Sequence, residues 1–124
     1  MNTTVTDEQV ARAELTWIAE PRDRLLGALV RASGAVQAMA LIRAGRLPDD
    51  AGLTANPEWK RAMARWDAEL ERVPPRGEVE RTLGSRFRLV YPGCAEWPGG
   101  LDGLGDAAPV ALWVTGVEIG RAHV

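Results

Sequence analysis

One cysteine, one histidine and one lysine occur in the 124 residues, and each scarcity closes a class of function. The single thiol, Cys94, can form neither an intramolecular disulfide nor a CxxC site, and it fits a reducing cytoplasm better than an oxidising compartment. One Cys and one His, the latter being His123 next to the last residue, cannot assemble a closed N/S metal centre. Nucleophile-and-base catalysis has no other histidine to draw on. No catalytic, cofactor-binding or metal-binding residue is therefore predicted, and the chain is not read as an enzyme. Long apolar runs are also missing: nothing approaches the roughly 20 residues of a membrane span. The N-terminus has no basic start followed by an apolar run, so it is not a signal peptide. A cytoplasmic protein with no membrane span is expected. A basic excess is absent too. With 15 basic against 17 acidic residues the formal charge is -2, which removes the simplest argument for a nucleic-acid protein and leaves only a local patch. Lys60 is the sole lysine, a bias that fits codon usage in a GC-rich genome and says nothing about mechanism.

What is present is a 46% hydrophobic chain long enough to bury roughly two-thirds of its unfolded surface without staples. Residues 1–84 read as a string of short helices. Thr6 and Gln9 make a capping-box pattern, and two interleaved rows, Val10/Ala13/Trp17 and Ala11/Leu15/Ile18, give a broad apolar face that stops before Pro21. A second helix fits Asp23 to Arg31, with Gly34 as its stop, and a third runs from Ala35 to Ala44 with Val36, Met39 and Ala40 facing inward. The two resemble a compact helix-turn-helix pairing. Asn56 as N-cap and Pro57 in the first turn open the strongest helix. Its Trp59, Met63, Trp66, Leu70 and Val73 fall within roughly 80° of arc at about 100° per residue. Arg61, Arg65 and Arg72 cluster on its far side, where a phosphate-contacting stripe is conceivable, although Glu69 and Glu71 sit beside them. Pro74-Pro75-Arg76-Gly77 breaks this helix, and Glu78 to Leu83 can form one or two more turns.

Past Gly84 the pattern changes. Arg86 to Tyr91 alternates as a strand ended by Pro92, a Gly/Pro-rich connection follows, and Val110 to Val114 reads as a second strand. The near-continuous apolarity of the second strand suggests burial on both faces, as in a parallel or mixed sheet. Two strands alone do not make a stable sheet. Gly103-Leu104-Gly105-Asp106-Ala107-Ala108 fits the dinucleotide-binding G-x-G-x-x-A on paper, but it follows a loop and precedes Pro109 and a strand, so the motif is rejected. Carboxylate pairs such as Glu96 with Asp102 or Asp106 lie where turn-forming Asp is expected anyway. Four of the five tryptophans, Trp17, Trp59, Trp66 and Trp113, read as core.

From Arg88 to Gly116 the sequence resembles the DNA-processing protein A (DprA/Smf) family. The family carries a stretch of the form "rvvtpgDpeYPplL", then "dpPpvLyvrG", immediately before the core of its Rossmann-like domain. Here Arg88-Leu89-Val90-Tyr91-Pro92-Gly93-Cys94-Ala95-Glu96-Trp97-Pro98-Gly99-Gly100-Leu101 is followed by Asp106-Ala107-Ala108-Pro109-Val110-Ala111-Leu112-Trp113-Val114-Thr115-Gly116. The structural residues of the match are Glu96, Trp97, Pro98, Leu101, Pro109, Leu112, Trp113 and Gly116. Cys94 stands where the family usually has Asp, Trp97 replaces the usual Tyr, and Thr115 replaces a residue that is often basic. Loss of the Asp removes a loop-capping acceptor.

The resemblance implies an α+β chain in three parts. Residues 1–84 form an N-terminal all-α helical domain, 85–117 carry the first strands of a truncated Rossmann-like α/β domain, and 118–124 are a non-native tail. Glu118-Ile119-Gly120-Arg121-Ala122-His123-Val124 is what a common sequencing-library adapter encodes when a preceding GA completes its first codon, and the next triplet is a stop. For the full-length protein the resemblance implies single-stranded DNA and a RecA-type recombinase as partners, with self-association, in DNA uptake and transformation. The family's phosphate-loop-like segment and basic pocket lie beyond Gly116, so no family binding residue is carried over and the fragment itself is expected to be inactive. The alternative is a free-standing helical interaction module that docks through the Trp59/Met63/Trp66/Leu70 stripe.

Overall fold

The computed structural model describes residues 5–47 and 57–115. Its helices are α1 (Asp7–Ile18), α2 (Arg24–Ser33), α3 (Ala35–Ala44), α4 (Trp59–Glu69) and α5 (Arg76–Leu83). A 3-10 turn, Leu70–Arg72, extends α4. Two strands, β1 (Phe87–Val90) and β2 (Leu112–Thr115), follow, separated by a 3-10 stretch at Gly99–Ala107. These elements define an α+β class. No single helix among the described residues is long and apolar enough to cross a membrane.

The capping box forms as its spacing predicts. Thr6 Oγ1 accepts from the Gln9 amide at 3.1 Å, and Gln9 Oε1 accepts from the Thr6 amide at 2.9 Å. The two apolar rows of α1 then part company. Ala11, Leu15 and Ile18 enter the larger core with Leu26, Leu29, Met39, Ile42, Trp59 and Trp66. Val10, Ala13 and Trp17 face a smaller core shared with Val79, Leu83, Leu89 and Trp113. A helix apolar over so wide an arc is buried on both sides, and α1 is the wall between the two cores.

Asp23 caps α2, and Gly34 (φ 84°) turns the chain so that α3 leaves at a bend of 115°. The inward face of α3 differs from the expected one. Ala35, Ala38, Met39 and Ile42 are buried, whereas Val36 is 49% exposed and Ala40 faces solvent. Only Gln37 and Arg43 are polar in this helix, so periodicity left its rotation open and contact with α1 decides it. Buried Glu14 of α1 accepts from Arg43 Nη2 at 2.9 Å and ties the two helices together.

On α4 the narrow stripe packs as its spacing predicts, with Trp59 and Trp66 buried edge-to-face at 5.9 Å and Met63, Leu70 and Val73 packed beside them. The expected cap Asn56 lies outside the described residues. Glu58 takes the N-cap position. The predicted break at Pro74–Gly77 falls earlier, at extended Val73, because Pro75 starts α5 rather than ending α4. The strands are antiparallel, with Phe87 opposite Thr115 and Val90 opposite Leu112, not the parallel or mixed pairing expected. The apolar run that suggested it has two environments: Val110 and Ala111 are buried as part of the connection, and only Leu112 onward is strand.

Candidate functional site

The predicted arginine stripe is not assembled on one open face. Arg65 reaches back across the α1–α2 turn, with Nε 2.8 Å from Glu20 and Nη2 3.2 Å from Asp23, while its guanidinium lies 5.9 Å from the Trp66 ring centre. Arg72 pairs with Glu69 at 3.3 Å. Arg61 is exposed and makes no ion pair among the described residues. A phosphate-tracking groove needs cations free to replace condensed counterions. Two of these three are already neutralised.

The residues of the family-like stretch build a brace between the helices and the strands. Pro92-Gly93 forms a turn closed by the Cys94 amide on the Tyr91 carbonyl at 2.9 Å, with Gly93 at φ 104°. That backbone bond closes the turn where Cys94 stands in place of the usual Asp. Glu96 pairs with Arg88 of β1. Trp97 donates its indole N–H to Asp102 at 3.1 Å, and Pro98 starts the 3-10 stretch, where the Leu101 amide bonds to the Pro98 carbonyl. Leu112 pairs with Val90. Trp113 donates to Thr16 Oγ1 at 3.0 Å and meets Trp17 edge-to-face at 5.9 Å. Gly116 lies outside the described residues.

Several residues of this junction carry no sequence motif. Arg12 donates to the Val110 carbonyl, next to Pro109, at 2.8 Å, pairs with Glu8 at 2.9 Å, and lies 5.3 Å from the Tyr91 ring centre. The one local signal that marks Arg12 is its i,i+4 spacing from Glu8. Arg31 on α2 reaches Asp106 at 3.3 Å. Gly27 lets the Asp106 backbone settle on α2: a Cβ there would stand 1.9 Å from the Asp106 carbonyl oxygen. Burial pushes the Tyr91 hydroxyl above the ordinary phenol range, helped by Cys94 and Glu8 and opposed by Arg12. Hydrogen bonds to Asp7 and Glu80 raise Arg76 above the usual guanidinium value.

Two of the open grooves beside the brace border its 3-10 stretch. One, of about 340 Å³, is bordered by Arg12, Arg31, Trp97, Asp102 and Pro109. The other, of about 420 Å³, is lined mainly by apolar groups from Ala19, Pro21, Leu26, Leu101 and Ala111. In the first groove each charged group is engaged: Arg12 with Glu8 and Val110, Arg31 with Asp106, Asp102 with Trp97. Glu96, Asp102 and Asp106 thus have separate partners instead of forming an acid–base pair. Among the described residues no group of three or more His, Cys, Asp or Glu side chains is placed to hold a metal ion. The rejected G-x-G-x-x-A segment lies within and just after the 3-10 stretch and opens no α-helix. What this arrangement does is hold elements together. No family model, curated protein or solved structure matches the chain.

Proposed function

We propose that the chain is the N-terminal part of a bacterial DNA-processing protein of the DprA/Smf type. The full-length protein binds single-stranded DNA, self-associates and assists loading of a RecA-type recombinase during DNA uptake and transformation. In this proposal the helices of 1–84 are its N-terminal domain and 85–117 begin its Rossmann-like domain. The part in hand is a cytoplasmic scaffold, not an enzyme, and inactive by itself. One observation carries the reading: the ordered match from Arg88 to Gly116, with its aromatic-Pro step at Trp97-Pro98 and its Pro109 to Gly116 ending. The use of Arg65 and Arg72 in ion pairs supports inactivity of the part alone. The alternative module would dock through Trp59, Met63, Trp66 and Leu70, but Trp59 and Trp66 are 2% and 0% exposed and already fill the chain's own core.

The test is genomic. An amplicon across the codons for Trp113 to Val124 and several hundred bases beyond should read through Gly116 into a Rossmann-like core. The protein encoded there should bind a single-stranded oligonucleotide with strong salt dependence. A genomic stop after Val124, or a longer protein that ignores single-stranded DNA, contradicts the proposal.

A further inference from the structure

The sheet has two strands, so β1 has an outer edge with no neighbouring strand among the described residues. A groove of about 510 Å³ runs along it, lined by Arg88 and Leu89 of β1, Val5 and Gln9 at the start of α1, Leu83 at the end of α5, and Glu96. Successive strand residues point to opposite faces, so a groove that touches both Arg88 and Leu89 follows the edge of the strand, and no β2 residue lines it. The two ends of this edge are closed within the chain. The Phe87 amide turns away from β2 to donate to Ser85 Oγ at 3.3 Å, and the Tyr91 carbonyl accepts from the Cys94 amide at 2.9 Å. Alternation along an antiparallel strand turns the N–H and C=O of Leu89, midway between them, to the same outer side. Neither group has a partner there among the described residues.

We propose that this edge is a pairing surface for a second copy of the chain, with the two β1 strands antiparallel about a two-fold axis at Leu89. Residues of an antiparallel hydrogen-bonded pair exchange both N–H···O=C bonds, so the open donor and acceptor of Leu89 are satisfied by Leu89 of the second copy. Such an edge is self-complementary, as an isologous contact requires. The side chains agree on both faces. Toward α1 and α5, half-buried Val5, Leu83 and Leu89 form the open rim of the smaller core, and the same three residues of the second copy cover them. On the opposite face Arg88 pairs with Glu96, and the axis sets a second such pair beside the first, so that each cation also meets a carboxylate of the other copy. The strand is only four residues long, and the dimer it makes is therefore weak and concentration-dependent. Nothing in this pairing depends on the family resemblance, so either can fail alone.

Sedimentation equilibrium of the whole chain at rising concentration should show the mass climbing from one chain toward two. Amide hydrogen exchange at Leu89 should slow over the same range, by about twofold when half the chains are paired, because only the unpaired fraction exchanges. Arg88→Glu places four carboxylates around the axis and Glu96→Arg four guanidinium groups, so each variant alone should stay monomeric. Their equimolar mixture should dimerise, since every contact between positions 88 and 96 of different chains then joins opposite charges. Far-UV circular dichroism checks that each variant keeps its helices. A wild-type chain that stays monomeric at every concentration overturns the proposal and leaves the edge to an extended segment of another protein. A dimer whose Leu89 amide exchanges at the monomer's rate, or a mixture that stays monomeric while the wild type pairs, overturns it as well.

Discussion

Asp23 does the work of three residues. Its carboxylate caps α2 through the Leu26 amide at 3.3 Å, accepts the Trp66 indole N–H at 3.1 Å and receives Arg65, all with its side chain 4% exposed. Asp23→Ala should remove the cap, costing about 1 kcal/mol. It also leaves the buried Trp66 indole N–H unpartnered, costing about 1–3 kcal/mol more. Urea denaturation should show the sum, and Asp23→Asn, which keeps an acceptor for both, should recover at least half. A loss within about 0.5 kcal/mol, typical of a surface position, contradicts this role. Tyr91 offers a second residue-scale test, because it is the only tyrosine and phenolate absorbance reports it alone. Its native hydroxyl titrates above the unfolded value of about 10. The native state therefore holds that proton more tightly. The stabilisation is fully present below about pH 10 and is lost as pH rises through the native value. The absorbance midpoint should fall when the chain is unfolded in urea, and equal midpoints would remove the burial argument.

At the scale of elements, the contact between α2 and the 3-10 stretch has a diagnostic sign. In an isolated helix Gly27→Ala would stabilise by about 1 kcal/mol. Here the added Cβ meets the Asp106 carbonyl, and the displacement should cost about 1–3 kcal/mol. Thermal melts decide between the two directions, and a stabilised Gly27→Ala protein would mean that the stretch does not sit on α2. Helix ends were legible where a local device sets them, as at the Thr6/Gln9 box and at Gly34 with its positive φ, whereas Asp23, read as the first residue of α2, is its cap. The α4 stripe was legible because its apolar residues are few and spaced. The rotation of α3 was not, since apolar residues surround it. Nor was the strand direction, because burial of Val110 and Ala111 by the helices looks in sequence like burial inside a sheet. The roles of Arg12, Gly27 and Arg31 at the junction were not legible for a related reason, as the Val110 and Asp106 backbone and side-chain groups they meet there lie 75 or more positions along the chain and no local pattern encodes such distances.

For the whole molecule, α1 is the shared element. One of its faces belongs to the helical core and the other to the core of α5 and the strands, while Arg12 and Thr16 bond across to Val110 and Trp113. The helices and the strand pair should then lose structure in one transition, with far-UV dichroism and tryptophan fluorescence giving coincident urea curves. Separate midpoints would show two independent units. The pairing of charges bears on function, since a chain of net charge -2 that commits Arg65 and Arg72 of its predicted arginine stripe to its own carboxylates has little net attraction for phosphate. Fluorescence anisotropy of a labelled single-stranded oligonucleotide, titrated with the purified chain at low and moderate salt, tests that most directly. The account predicts no saturable binding tighter than about 10 μM, no better than ordinary non-specific attraction. Submicromolar binding that weakens steeply with salt would contradict it.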